Sequence, residues 1–146
     1  MSLEQRVKLM QIVSFSVGGY AFLWALAPYE AINGPARFIL NLSAGSLGGL
    51  FEPLNLHAQW LSSIGAGLLM AVAIISYGVI APAIRQVNPQ DAQIIRFFKL
   101  AIIAWYLIDS LGSIAAGVVV NVLFNTVFLG LIFLPLLRLK TLDPSH

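Results

Sequence analysis

Residues 58–82 form an uninterrupted stretch without a charged side chain, and this stretch constrains the fold more than any other feature. As an α-helix rising ~1.5 Å per residue, it is long enough to cross a hydrocarbon core of ~30 Å. Residues 7–28, 93–115 and 118–139 form three further apolar segments of similar length. We therefore predict a single domain, residues 1–146, with the fold of an all-α integral membrane protein: a four-transmembrane-helix bundle.

The composition agrees with a membrane location. Apolar residues make up 59% of the 146-residue chain and charged residues only 10%, whereas soluble domains contain about 45–50% and about 25%, respectively. The absence of cysteine excludes disulfides and thiolate metal ligands. The eight Lys and Arg residues are scattered, so no nucleic-acid partner is expected. The lipid bilayer is the first partner that the composition predicts.

The segment between the first two apolar stretches, residues 29–57, has a different character. It contains Pro35, Pro53, several glycines and two acids, and it is too interrupted to span a membrane. Pro35 fits the first turn of a short helix over residues 37–42. We predict an outer loop that carries a short interfacial helix.

Basic residues are concentrated at one end of the predicted bundle. The positive-inside rule places that end, and with it both termini, in the cytoplasm. Arg37 alone falls on the other side, where Trp24, Tyr29 and Trp60 mark the opposite interface. The basic residues on the cytoplasmic side are Arg6, Lys8, Arg85, Arg96, Lys99, Arg138 and Lys140.

Asp109 is the only acid in the long apolar segments, and an ionisable side chain at membrane depth suggests a functional site. Counted along the helix, Asp109 lies about 10 Å below the outer end of its segment, level with Asn125 in the next one. Ser113 and Asn121 lie about 5 Å deep by the same count. We therefore expect Asp109 to face Asn125, and Ser113 to face Asn121.

Two roles are open for this polar group of residues. It is either a hydrogen-bonded staple between two helices, which satisfies polar atoms that lipid cannot satisfy, or a ligand site. In the second case Asp109 would hold a cation, a proton or a polar head group in a cavity open to the outside.

Three residues of the outer interface are further candidates: Arg37, His57 and Trp60. Arg37 is the one cation able to fold from the loop toward Asp109. His57 is interpreted as an interfacial histidine, with a single axial ligand or a pH-sensitive contact as the alternatives. The only other histidine is His146, so a bis-histidine haem within the chain is not expected, and no metal site or cofactor is predicted.

Two further patterns, a group of basic residues and pairs of small residues, are explained by membrane anchoring and helix packing without a ligand or a reaction. Arg85, Arg96 and Lys99 are explained by anchoring on the cytoplasmic side, and an anionic lipid head group is the added hypothesis. Small residues spaced four apart are typical of faces through which membrane helices pack. Such pairs are Ser14 with Gly18, Ser63 with Gly67, and Ser113 with Gly117.

The layout resembles that of small bacterial four-helix membrane proteins of the DoxX-like kind. The resemblance rests on an Arg-led first segment (RVKLMQIVSFSVGGYAFLWAL), a glycine- and proline-rich outer loop, a second segment reading LSSIGAGLLMAVAI, and a third opening RFFKLAI. It implies a helical bundle in the bacterial inner membrane, sometimes associated with redox or quinone-linked complexes, so a bound lipid or quinone is compatible with it. No functional residue is carried over.

Neither a GxSxG elbow nor a phosphate-binding loop occurs, so no enzyme class is predicted. The first functional hypothesis is an accessory or stabilising subunit of a larger membrane complex, or a homo-oligomer. The alternative is a carrier or binder of a lipophilic or cationic small molecule in an outer-side cavity near Asp109. An intramembrane enzyme that uses Asp109 with His57 is disfavoured, because His57 should lie roughly 10 Å above Asp109.

Overall fold

The computed structural model describes residues 1–86, 88–137 and 139, and these residues form five helices and no strand. Helix α3 passes through a π-helical turn at Ser76–Ile80, and α5 ends in a 3-10 turn at Leu134–Leu136. The predicted all-α fold is confirmed for this part of the chain. The helices are α1 (Leu3–Ala25), α2 (Gly34–Ser43), α3 (Leu56–Ala83), α4 (Pro89–Ala115) and α5 (Val119–Leu136).

Three of these helices, α1, α3 and α5, are long and apolar enough to cross a membrane by length and composition. A membrane location is therefore consistent with the fold. Helix α4 has 27 residues but carries four charged side chains, Asp91, Arg96, Lys99 and Asp109, and it is not among these three. The fourth span, which is α4, therefore stays a prediction.

Helices α1 and α3 begin in polar residues just outside the predicted apolar segments. Helix α1 starts after Ser2, whose Oγ accepts a hydrogen bond from the Gln5 amide at 3.2 Å, while Gln5 Oε1 accepts from the Ser2 amide at 2.8 Å. Helix α3 starts after Asn55, whose Oδ1 accepts from the Ala58 amide at 2.8 Å. Side-chain oxygens at these positions satisfy amides that have no partner within the helix, which extends both helices beyond the predicted boundaries.

The predicted outer loop, residues 29–57, contains the short helix that was expected there. Helix α2 has Pro35 in its first turn. Backbone N–H groups in the first turn make no hydrogen bond within the helix, so proline, which lacks this group, is tolerated there. Asn41 donates to two carbonyls of the following loop at 3.4 and 3.3 Å, and Arg37 donates to the Phe51 carbonyl at 3.0 Å. These bonds hold the rest of the loop against α2.

The long helices form two antiparallel hairpins, α1 with α3 and α4 with α5. In the first hairpin Gly18 lies against Ala73, and an added Cβ would be in ordinary van der Waals contact with Ala73 Cβ at 3.5 Å. Phe15 and Tyr77 pack edge to face in the same hairpin, with ring centroids 5.3 Å apart. Ser14 is buried. The predicted pair Ser14 and Gly18 therefore serves helix packing within the chain.

The two hairpins meet in a hydrophobic core toward the end that holds the start of α1 and the end of α5, here called the core end. Its most deeply buried side chains include Met10, Ile80, Ile84 and Leu136. Lipid tails are as apolar as these side chains, so in a membrane close packing, rather than removal from water, would stabilise this contact. The opposite end, with α2 and the turn between α4 and α5, is called the loop end.

Cationic side chains fix the core end. Arg6 donates to the carbonyls of Pro135, at 3.0 Å, and Leu137, and Lys99 donates to the Leu136 carbonyl at 2.9 Å. These carbonyls lie at the end of α5, where they have no partner within the helix and attract positive charge. Helix α5 is thereby tied to α1 and α4.

Candidate functional site

Between the two hairpins lies a cavity of about 450 Å³, here called the central cavity, which all four long helices line. Its walls are mostly apolar. Five of the side chains in these walls are aromatic: Tyr20, Trp24, Trp105, Phe124 and Phe128. On one side α4 and α5 supply a polar corner with Asp109, Asn121 and Asn125.

Trp24 forms part of one wall of the central cavity. A Cβ added to Gly65 would lie 2.8 Å from Cζ3 of Trp24, so glycine leaves room for this indole ring. Tyr20 packs between Trp24 and Phe128, with ring centroids 5.6 and 4.9 Å apart, and thus links α1 to α5 beside the cavity. The sequence located Trp24 near an interface, but no pattern in it indicated this packing.

Asp109, Ser113 and Asn121 form one hydrogen-bonded group, here called the polar cluster. Asn121 Nδ2 donates to Asp109 Oδ1 at 3.3 Å and to Ser113 Oγ at 2.9 Å. The Ser113 hydroxyl donates to Asp109 Oδ1 at 3.4 Å. The predicted contact between Ser113 and Asn121 is therefore present, and Asp109 accepts hydrogen bonds from both residues.

The expected pairing of Asp109 with Asn125 is not what the structure contains. Asn125 is buried, and its Nδ2 donates to Ser110 Oγ at 3.4 Å. Counting residues along a helix gives the height of a side chain but not its direction, and consecutive residues differ by about 100° around the axis. Ser110 faces α5, while Asp109 lies beside that face, at the central cavity.

Ser110 was missed by the sequence-based reasoning although a signal for it exists. Tyr106, Ser110 and Ser113 are spaced four and three apart, and residues at this spacing share a helix face. The hydroxyl of Tyr106 lies 3.2 Å from Thr126 Oγ1 in α5, as expected for that face. This spacing identifies Ser110 as a candidate for the contact with Asn125, although Asp109, three residues after Tyr106 and four before Ser113, fits the same face and the spacing alone does not choose between them.

The outer-interface candidates do not line the central cavity. His57 and Trp60 are exposed in the first turns of α3, and Arg37 is engaged with the Phe51 carbonyl. The structure therefore does not bring His57 or Arg37 to Asp109. In the described ranges no group of three or more His, Cys, Asp or Glu side chains is placed to hold a metal ion.

The three basic residues proposed for a lipid head group are in different environments. Arg85 Nε forms an exposed ion pair with Glu4 at 3.0 Å, and Lys99 donates to the Leu136 carbonyl. Arg96 is exposed on α4. Lys99 thus helps to hold the core end together, whereas Arg85 is paired with Glu4 on the exposed surface of that end. Two further basic residues of the predicted cytoplasmic side, Arg138 and Lys140, lie outside the described residues.

No family model, curated protein or solved structure matches the chain. The resemblance to DoxX-like proteins therefore stays a prediction.

Replacing Asn121 by leucine removes both hydrogen bonds that α5 donates to the polar cluster, so we expect a loss of stability on the order of 1 kcal/mol, the size of interhelical hydrogen bonds in membranes. Asp109→Leu leaves the Asn121 amide without an acceptor but also removes a carboxylate that is costly at membrane depth, so its own effect on stability should be smaller. The double variant should be more stable than the sum of the two single effects predicts, because neither partner is then left unsatisfied. Unfolding of the four proteins in detergent micelles measures this coupling, and additive losses would show that the two side chains do not interact.

Proposed function

We propose that this chain is a small membrane protein that binds a lipophilic small molecule with one polar or charged group in the central cavity. The observation that carries the proposal is the cavity itself, because its volume of about 450 Å³ falls in the range typical of ligand sites, ~300–1,000 Å³. Apolar and aromatic walls with a few convergent polar groups are also typical of such sites.

The distribution of polar groups favours one orientation of the ligand. Val17, Ile102 and Ile132 belong both to the hydrophobic core and to the wall of the cavity. Asp109 and Asn121 border the same cavity closer to the turn between α4 and α5. A molecule with an apolar body and a polar head would place its body toward the core end and its head at the polar cluster.

We also propose that α4 crosses the membrane, which gives four spans. Helix α4 runs alongside the whole of α5, since Lys99 of α4 contacts the end of α5 and Ser113 of α4 contacts the start of α5. Of the described basic residues, only Arg37 lies near the loop end. The positive-inside rule then favours cytoplasmic termini, and the resemblance noted above favours a bacterial inner membrane.

Fluorescence offers a direct test of ligand binding. Trp24 and Trp105 line the cavity, whereas Trp60, the third tryptophan, is exposed elsewhere. In a Trp60→Phe background in lipid nanodiscs, we expect saturable quenching by a 4-bromobenzyl amphiphile with an octyl chain, offered as the amine or as the ether. Val72→Phe fills part of the cavity and should weaken binding by about tenfold or more, equal to ~1.4 kcal/mol.

Ile74→Phe is the matched control for this test. Ile74 lies two residues from Val72 on the same helix, is exposed, and does not line the cavity. It should leave the binding curve unchanged. Quenching that rises linearly, as it does from partition into empty nanodiscs, would contradict the proposed function.

The four-span arrangement predicts where single cysteines react, and the chain has no cysteine of its own. Four spans place Ala116 on the same side as Ser46 and opposite Ser2, whereas three spans without α4 would leave Ala116 on the side of Ser2. We expect Ser46→Cys and Ala116→Cys to react with an impermeant maleimide on intact spheroplasts, and Ser2→Cys only after permeabilisation. Protection of Ala116→Cys on intact spheroplasts would contradict the fourth span.

A second candidate function is association, as an accessory subunit of a membrane complex or as a homo-oligomer. One observation on α3 favours it. Ser63, Gly67 and Ala71 are spaced four apart and exposed, and a Cβ added to Gly67 meets nothing within 4 Å. Small residues at this spacing let a second helix approach closely.

Gly67→Leu would block that approach, so it should convert an oligomer of this chain to a monomer. The mass of the protein in mild detergent measures the change. Gly130→Leu is the matched control, because Gly130 is exposed on α5 and also has open space at its Cβ position. A wild-type protein that is monomeric in detergent and in nanodiscs would contradict self-association through α3.

A further inference from the structure

We infer that the ligand of the central cavity is a lipophilic organic amine, bound as a cation that donates N–H hydrogen bonds to Asp109. The inference rests on the proposed binding function and adds the chemistry of the head group. It is carried by the donors and acceptors of the polar cluster, by the charge that lines the cavity, and by the aromatic walls.

The donors of the polar cluster are already used within it. Asn121 Nδ2 has two N–H groups, and it donates to Asp109 Oδ1 and to Ser113 Oγ. The single hydroxyl proton of Ser113 is directed to Asp109 Oδ1. Within the described part of the chain, no donor reaches Asp109 Oδ2 or Asn121 Oδ1. A ligand that completes this group of atoms therefore has to donate hydrogen bonds.

Charge favours a cationic donor over a neutral one. Asp109 is the only Asp, Glu, Lys, Arg or His side chain among the described residues that line the cavity. A carboxylate at membrane depth is costly without a counter-charge. The basic residue of the outer loop, Arg37, is held at the Phe51 carbonyl and does not line the cavity. A protonated amine supplies the missing positive charge, whereas a fatty acid or another anion would be repelled.

The aromatic walls suit the same ligand. The faces of tryptophan, tyrosine and phenylalanine rings attract cations, and this attraction grows when water is excluded. Tyr20, Trp24 and Trp105 border the same cavity as Asp109. An alkyl or aryl body would pack against these rings, and its ammonium group would remain close to both the rings and the carboxylate.

A quinone fits the donors and acceptors of the polar cluster poorly. Its two oxygens are acceptors only, and they would meet acceptors at Asp109 and Asn121. A bound quinone would leave the carboxylate without a counter-charge, at a cost that an amine does not incur. The ammonium group of a free amine and that of a lipid head group would both supply the donor and the positive charge.

Three probes of nearly equal size separate charge from hydrogen bonding. They are 4-bromobenzyl octyl amine, the corresponding dimethyl quaternary ammonium, and the corresponding ether. Binding is measured by tryptophan quenching in the Trp60→Phe protein near neutral pH, in nanodiscs without amine lipids, after subtraction of empty nanodiscs. We expect the amine to bind about tenfold or more tightly than the ether, with the quaternary ammonium between them.

Asp109→Asn keeps an oxygen that accepts from Asn121 and Ser113 but removes the charge. We expect this variant to weaken binding of the amine and so to reduce the preference for the amine over the ether to about twofold or less. Equal binding of amine and ether to the protein with Asp109 intact, a comparison that needs no variant at this position, would overturn the inference and leave the proposed function standing. Absence of saturable quenching by all three probes would overturn both.

Adding phosphatidylethanolamine to the nanodiscs distinguishes the two sources of an ammonium group. Competition with the amine probe would identify a lipid head group as the ligand. Unchanged binding of the amine would identify a free lipophilic amine. Either result supports recognition of an ammonium group by Asp109 when the preference over the ether is present.

Discussion

Close packing at the core end is the contact on which the rest of the structure depends. Met10, Ile80 and Leu136 bring helices from both hairpins together there, and Arg6 and Lys99 fix the end of α5. Beyond this region the hairpins are less closely packed and line the central cavity, although Tyr20 still packs on Phe128 beside it. The cavity therefore lies next to the region where the hairpins are packed most closely.

One turn of α4 serves two purposes at this cavity. Ser110 and Ser113 face α5 and hold the second hairpin together through Asn125 and Asn121. Asp109 lies beside them, receives two hydrogen bonds through one oxygen, and borders the cavity. The staple and the ligand site that the sequence left as alternatives are therefore compatible, because neighbouring residues of one helix point in different directions.

Much of this arrangement follows from local patterns. Apolar length predicted the long helices, and Pro35 predicted the short helix in the outer loop. The contact between Ser113 and Asn121 followed from counting residues on either side of the turn. The predicted helix starts were less accurate, because the segments were bounded by hydropathy and the caps at Ser2 and Asn55 lie in polar flanks.

The sequence by itself determined that the chain is helical and apolar enough for a membrane, and it located the polar side chains along each helix. Those properties depend on composition and on the fixed rise of a helix. Only the tertiary structure decided that Asn125 meets Ser110, that Trp24 packs on Gly65, and that a cavity separates the hairpins. The rotation of a helix about its axis and its distance from a neighbour are set by contacts between residues far apart in the chain.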